Sequence, residues 1–182
     1  MRYSHIVIPG VFAEMLEGIE STIENLPSKS DQASGKSSNV KTTWYGGGYV
    51  SHIEDSTFYY FNRANNKNFG YNISSIEALR LEVFTRHGYY DNRKECDHFW
   101  QDSSDKKLIG IINMNDPYDP QKDGGEIILS DTRGHKMQVD NVFYKKKGSF
   151  LIFNPFTAYK ITSVNLESLR FLYSFCVGPK WQ

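Results

Sequence analysis

From Trp44 to the C-terminus the chain is a succession of short apolar and aromatic runs divided by turn residues, and this spacing restricts the fold more than any other feature. Leu79, Leu81 and Val83 alternate with Arg80 and Glu82, the period-two pattern of a half-buried strand. Leu108 to Met114, Glu126 to Leu129, Lys136 to Val139, Val142 to Tyr144, Phe150 to Phe153, Ala158 to Val164 and Leu169 to Cys176 continue the series. Asn115-Asp116-Pro117, Asp123-Gly124-Gly125, Thr132-Arg133-Gly134 and Lys147-Gly148 supply the turns between them. Many short strands at such intervals predict a sandwich or barrel.

The front of the chain is different. Tyr3 to Ile8 reads as a first strand, and Val11, Phe12, Met15, Leu16, Ile19, Ile23 and Leu26 recur at helical spacing until Pro27. Residues 28–41 are small and polar and read as a flexible loop. Phe58-Tyr59-Tyr60-Phe61 reads as a buried strand or short apolar segment, and the asparagines from Asn62 to Asn72 as a loop. A helix in front and strands behind predict a mainly β jelly roll with N-terminal helical support, one domain over residues 1–182.

Composition narrows the function. Lysine plus arginine equals aspartate plus glutamate at 21 each, so the basic excess of a nucleic-acid binder is missing. The two cysteines make no disulfide framework and suit a reducing compartment. No signal-peptide pattern opens the chain and no apolar run is long enough to span a membrane, so a cytoplasmic or virion location is expected, without secretion through a signal peptide.

Most small motifs carry little. Gly46-Gly47-Gly48 lacks the lysine and hydroxyl residue of a phosphate-binding loop and reads as a turn. Lys145-Lys146-Lys147 reads as a solvated hairpin tip. Cys96 and His98 share a face of an extended segment but have no second pair to complete a metal site. His52-Ile53-Glu54 has the spacing of a metal-binding pair but precedes the strands that would hold it, and His5, His87 and His135 are isolated.

A longer pattern is more specific. Leu81-Glu82-Val83-Phe84-Thr85-Arg86-His87-Gly88-Tyr89-Tyr90-Asp91 is followed by Ile111-Ile112-Asn113-Met114-Asn115-Asp116-Pro117, then Gly124-Gly125-Glu126-Ile127. Lys147-Gly148-Ser149-Phe150-Leu151-Ile152-Phe153-Asn154-Pro155 and the ending Val177-Gly178-Pro179-Lys180-Trp181 complete the set. In this order the pieces resemble the iron(II)- and 2-oxoglutarate-dependent dioxygenases, in the prolyl-4-hydroxylase-like branch of bacteria and tailed phages. The resemblance spans roughly residues 58–182 and implies a double-stranded β-helix.

The same resemblance implies an iron site made by a His-X-Asp pair and a later histidine, and here it is degenerate. Arg93 falls at the first histidine, Glu95 at the aspartate and Tyr159 at the distal histidine. Arginine stays protonated and offers only donors, so it cannot ligate iron. His98 with Asp97 or Asp102 lies near the first pair, but no histidine follows His135, so no shift of register restores the distal ligand. Phe84 falls at a tyrosine that contacts 2-oxoglutarate in the family, and Arg170 near the basic residue that pairs with its distal carboxylate. Arg170 is thus a candidate anion contact, with a structural ion pair as the plainer alternative.

These readings predict a non-catalytic protein that keeps the fold as a structural or binding component. The resemblance suggests a neck, tail or baseplate protein of a tailed-phage virion, in contact with other subunits of an assembly. Neither nucleic acid nor membrane is expected as a partner, and no cofactor. The spacing of Arg93 and Glu95 places them on one face of an extended segment, where a guanidinium–carboxylate pair with the Tyr159 hydroxyl is expected in place of iron. The alternative is an active hydroxylase using iron(II) and 2-oxoglutarate with unusual ligands.

Overall fold

A computed structural model of the chain describes residues 4–24, 29–31, 37–46, 51–95 and 104–180. Two antiparallel sheets make the jelly roll. The larger contains β1 (His5–Ile8), β9 (Phe150–Phe153), β6 (Ser104–Asn113), β11 (Ser168–Pro179), β4 (Ser75–Thr85), β3 (Val40–Gly46) and β2 (Lys29–Asp31), in that spatial order. The smaller runs β5 (Tyr90–Arg93), β10 (Ala158–Ile161), β7 (Ile127–Ser130) and β8 (Lys136–Gln138). This is the jelly roll expected from the strand spacing, the double-stranded β-helix that the resemblance implies.

Both faces of the larger sheet are buried, and that decides the site. One face packs against the smaller sheet through residues such as Phe84, Ile109, Ile111, Phe171, Tyr173 and Phe175. The other carries Leu79, Leu81, Leu108, Ile112, Leu172 and Cys176 and is covered by helices α1 (Leu16–Glu24) and α2 (Ser51–Ala64). Ser174 Oγ donates to Thr57 Oγ1 at 3.2 Å, tying β11 to α2 on this side. Burial in this helix-covered layer pushes the Cys176 thiol up to about 12, so it serves as a small apolar filler.

Several sequence expectations are corrected. Phe58-Tyr59-Tyr60-Phe61 lies in α2, whose buried residues Ile53, Thr57, Phe61 and Ala64 recur every three or four positions. The aromatic run hid that period, since Phe61 points inward while Tyr59 is exposed. His52 and Glu54 also belong to this helix. The asparagine stretch continues as a π-helical turn over Asn65–Phe69. Its side chains serve the backbone: Asn65 accepts from Tyr71 N and donates to Tyr71 O, both at 2.8 Å, and Asn68 donates to Ala64 O.

Val142–Lys145 is a helical turn rather than a strand. Asp140 Oδ1 accepts from Val142 N at its start, and Phe143 and Tyr144 are buried in succession, which a strand exposed on one face does not allow. The expected loop over residues 28–41 ends in strands instead: Lys29, Ser30 and Asp31 pair with Trp44, Thr43 and Thr42, and β3 begins at Val40. Ser28, residues 32–36, Gly47 and Gly48 lie outside the described residues.

The turn before β7 depends on Gly124. Its φ of 75° and ψ of −168° form a conformation open almost only to glycine, and an added Cβ would lie 1.9 Å from Ser163 O. Gly124→Ala is expected to cost about 1–3 kcal/mol of stability from backbone strain, read as a lower midpoint in urea unfolding. An unchanged midpoint would show that the loop at Ser163, after β10, yields freely.

Candidate functional site

Arg80 and Glu82 stand on β4 with the same parity as Phe84, and so face the smaller sheet rather than solvent. The half-buried reading of this strand is therefore corrected. The apolar residues Leu79 and Leu81 face the helix-covered layer, and the charged pair points into the space between the sheets. Neither charge has any exposed side-chain surface.

A charged residue in that position needs compensation, and it comes from its own strand, from neighbouring strands of both sheets and from the residue that follows β5. Arg80 donates from Nη2 to Glu95 Oε1 at 2.8 Å and from Nη1 to Glu95 Oε2 at 3.2 Å, a two-pronged grip on the carboxylate that follows β5. Its Nε lies 2.8 Å from Glu82 Oε1 as an ion pair off the hydrogen-bond axis. The other Glu82 oxygen accepts from Thr42 Oγ1 at 2.7 Å. Tyr159, on β10, donates its hydroxyl to Glu95 Oε1 at 2.7 Å and accepts from Arg80 Nη2 at 3.1 Å. Arg93 Nε approaches Glu95 Oε1 at 3.1 Å, and Lys106 Nζ approaches Oε2 at 3.5 Å.

Aromatic faces complete the enclosure. The Arg80 guanidinium carbon lies 4.3 Å from the ring centre of Tyr173, 5.0 Å from Phe175 and 5.1 Å from Trp44. Such faces attract a cation without competing for its N–H groups. Lys106 Nζ lies 4.5 Å from the Phe175 ring centre, and the Arg93 guanidinium 5.3 Å from that of Tyr90.

The electrostatics follow from this geometry. Burial alone would raise the Glu95 pKa, but the Arg80 and Arg93 guanidiniums and the Lys106 ammonium reverse that and hold it well below the usual carboxylate range. Burial, then the Glu95 charge, pushes the Tyr159 phenol far up, so it stays a neutral donor. Burial lowers the Lys106 pKa, with Glu95 opposing.

The structure brings Arg93, Glu95 and Tyr159 together, with the guanidinium–carboxylate contact expected from their spacing. Arg80 is the member that sequence reasoning missed, and it grips Glu95 more fully than Arg93 does. Its signal was the parity it shares with Phe84. Phe84 itself is a buried core residue packed on Tyr90 and Phe171.

Arg170 does not join the cluster. It lies on β11 between the inward-facing Leu169 and Phe171, and its Nη1 pairs with Glu20 of α1 at 3.6 Å. The odd spacing from the inward residues turns it towards the helices, where it makes the structural ion pair given as the plainer alternative. Cys96, Asp97, His98 and Asp102 lie outside the described residues.

The residues present do not fit iron(II). Both Glu95 oxygens are engaged by cationic donors, and the Arg93 guanidinium beside them would repel a dication. Among the described residues no group of three or more His, Cys, Asp or Glu side chains is placed to hold a metal. None of the helices there is long and apolar enough to cross a membrane.

Two packed antiparallel sheets with helices on the outer face of the larger one define the fold of the prolyl-4-hydroxylase-like 2-oxoglutarate and iron(II) oxygenases. Solved structures make the likeness specific. A prolyl-4-hydroxylase of Pseudomonas putida superposes with a TM-score of 0.66 at 12% identity, over 95% of this chain and 92% of that one. The viral collagen prolyl hydroxylase of Paramecium Bursaria Chlorella virus-1 gives 0.65 at 14% identity, over 97% of both chains. An oxidoreductase of the 2OG-Fe(II) oxygenase family from Burkholderia pseudomallei gives 0.69 at 12%, over 95% and 85%. No family model and no curated protein sequence matches the chain. The likeness therefore lies in the fold.

Proposed function

We propose that this protein keeps the oxygenase fold without its chemistry and serves as a structural or binding component, in the manner of a tailed-phage virion subunit. The observation that carries the reading is the engagement of Glu95 by Arg80, Arg93, Lys106 and Tyr159. An oxygenase must keep its carboxylate available to the metal, whereas this one is committed to internal cations. A fold can outlast its original chemistry, and function follows the site rather than the topology. The assignment to a particle draws on the phage branch of the sequence resemblance and on the even charge balance, which suits protein contacts.

The test is an anaerobic calorimetric titration of the metal-stripped protein with iron(II) in the presence of 2-oxoglutarate. The expected result is no one-to-one heat at micromolar concentrations. Stoichiometric micromolar binding overturns the reading and calls for succinate-release assays. For the assembly role, the protein is expected to recover other subunits from native extracts; migration as a lone monomer at high concentration, with no partner recovered, would count against it.

A further inference from the structure

β6 starts beside Glu95, through Lys106, and its far end runs into a cleft of about 370 Å3. Met114 to Tyr118, which follow β6, line it together with Ser168, Leu169 and Arg170, where β11 begins. The wall is fixed at Arg170, because Asn115 acts as a strand partner for that residue. Its Oδ1 accepts from Arg170 N at 2.7 Å and its Nδ2 donates to Arg170 O at 3.0 Å. The Arg170 backbone is therefore spent on the wall, while its side chain reaches Glu20 of α1, which also lines the cleft.

The charged lining is Arg170 and Lys147 against Glu20, Asp116 and Asp123. Asp123 is turned to backbone, its Oδ2 accepting from Asp119 N at 2.9 Å. The other four form two loose pairs, Arg170 with Glu20 and Lys147 with Asp116, each at 3.6 Å. That separation exceeds hydrogen-bond length, and among the described residues none of these four side chains makes a hydrogen bond. Arg170 and Glu20 are the more enclosed pair, 29% and 28% exposed against 38% and 90% for Lys147 and Asp116.

A partly exposed pair contributes little, so opening it costs little. Charge then restricts what can enter. An anion alone satisfies Arg170 and is repelled by Glu20, and an amine alone meets the reverse. A ligand with both charges on neighbouring atoms answers both. Next to the pair the surface is apolar, with Met114, Tyr118 and Leu169 buried beneath and Leu166 partly exposed. We propose that the cleft binds a free α-amino acid with a large aliphatic side chain. Its carboxylate meets the planar Arg170 guanidinium, its ammonium meets Glu20, and its side chain lies against Met114, Tyr118 and Leu166. The volume falls among those of small-molecule sites, about 300–1,000 Å3. This goes beyond the non-catalytic reading and stands apart from it, since no residue of the Glu95 cluster lines the cleft.

The test titrates the full chain with L-leucine, with isocaproate (the same skeleton without the ammonium) and with isoamylamine (without the carboxylate). Leucine is expected to bind one-to-one and saturably, and each analogue about tenfold or more weaker, for the loss of one charge-assisted hydrogen bond. Arg170→Gln and Glu20→Gln should each weaken leucine binding to the same extent, whereas Lys147→Gln leaves it unchanged. 2-Oxoglutarate, with two carboxylates and no ammonium, should not compete. Absence of leucine binding at millimolar concentration, isocaproate binding as tight as that of leucine, or competition by 2-oxoglutarate overturns the proposal. Amide shifts of the wild-type protein give a check that needs no variant. Leucine shifts centred on Asn115, Ser168 and Arg170 support the site, and shifts centred on Arg93 and Lys106 overturn it. Iron(II) binding in the calorimeter would overturn the non-catalytic reading alone, so the two failures are distinguishable.

Discussion

Glu95→Gln is expected to destabilise the protein by about 3–5 kcal/mol, the typical cost of removing one partner of a buried ion pair. The substitution keeps the shape and removes the charge that answers Arg80, Arg93 and Lys106. Arg80 is wholly buried and stays protonated, so it cannot relieve the loss. The pH dependence supplies an independent check. The folded pKa of Glu95 lies below its unfolded value, so the unfolded chain binds more protons at acid pH. Its stabilisation is present above the unfolded carboxyl pKa, about 4.3, and disappears as pH falls through the lower folded value. Urea unfolding from pH 7 to 3 should therefore show a shallower acid decline in Glu95→Gln than in wild type. Parallel pH profiles would mean that Glu95 titrates alike in the folded and unfolded chain, and the ion-pair network would have to be redrawn.

The fold was largely legible because strand spacing and turn residues are local signals. Where it was misread, two patterns competed. Phe58 to Phe61 satisfies an apolar strand by composition, yet the buried set Ile53, Thr57, Phe61 and Ala64 is helical, visible only across the longer window. The asparagines after it look like a loop because their side chains often leave secondary structure to bond the backbone. Here they do bond the backbone, but within a continued helical turn.

The site was legible in part. Arg93 and Glu95 are two residues apart, whereas Tyr159 is 64 residues from Glu95 and came to it only through the family frame. Arg80 was lost to a sound rule applied to the wrong sheet. Alternation places charges in solvent when one face of a strand is exposed; β4 is covered on both faces, so the charges went to the interior. Arg170 shows the complementary effect. A single residue of offset on a strand reverses the face, and the one-residue uncertainty in the family spacing was enough to turn it to the helices.

Breaking the Arg80–Glu82 pair one residue at a time should cost more than removing it whole. Arg80→Met leaves Glu82 buried opposite an apolar chain and takes the two-pronged contact from Glu95, for an expected loss of about 3–5 kcal/mol. Glu82→Leu leaves the Arg80 charge with Glu95 alone among its ion-pair partners and strips Thr42 of its carboxylate acceptor. The double variant removes one positive and one negative charge together, so the net charge around Glu95 is unchanged. Met and Leu also suit the aromatic walls of Tyr173, Phe175 and Trp44. Replacing a buried ion pair by apolar residues is often neutral or stabilising, so the double variant should be more stable than Arg80→Met alone by at least about 1 kcal/mol, within the 0.5–3 kcal/mol seen for coupled neighbours. Urea unfolding of the four proteins closes the cycle. Additive losses would mean that the aromatic cage, rather than Glu82, holds Arg80 in place. A large positive coupling would instead explain how a jelly roll can hold a wholly buried arginine where an apolar residue would serve, and why the strand that carries it reads from sequence as if it faced water.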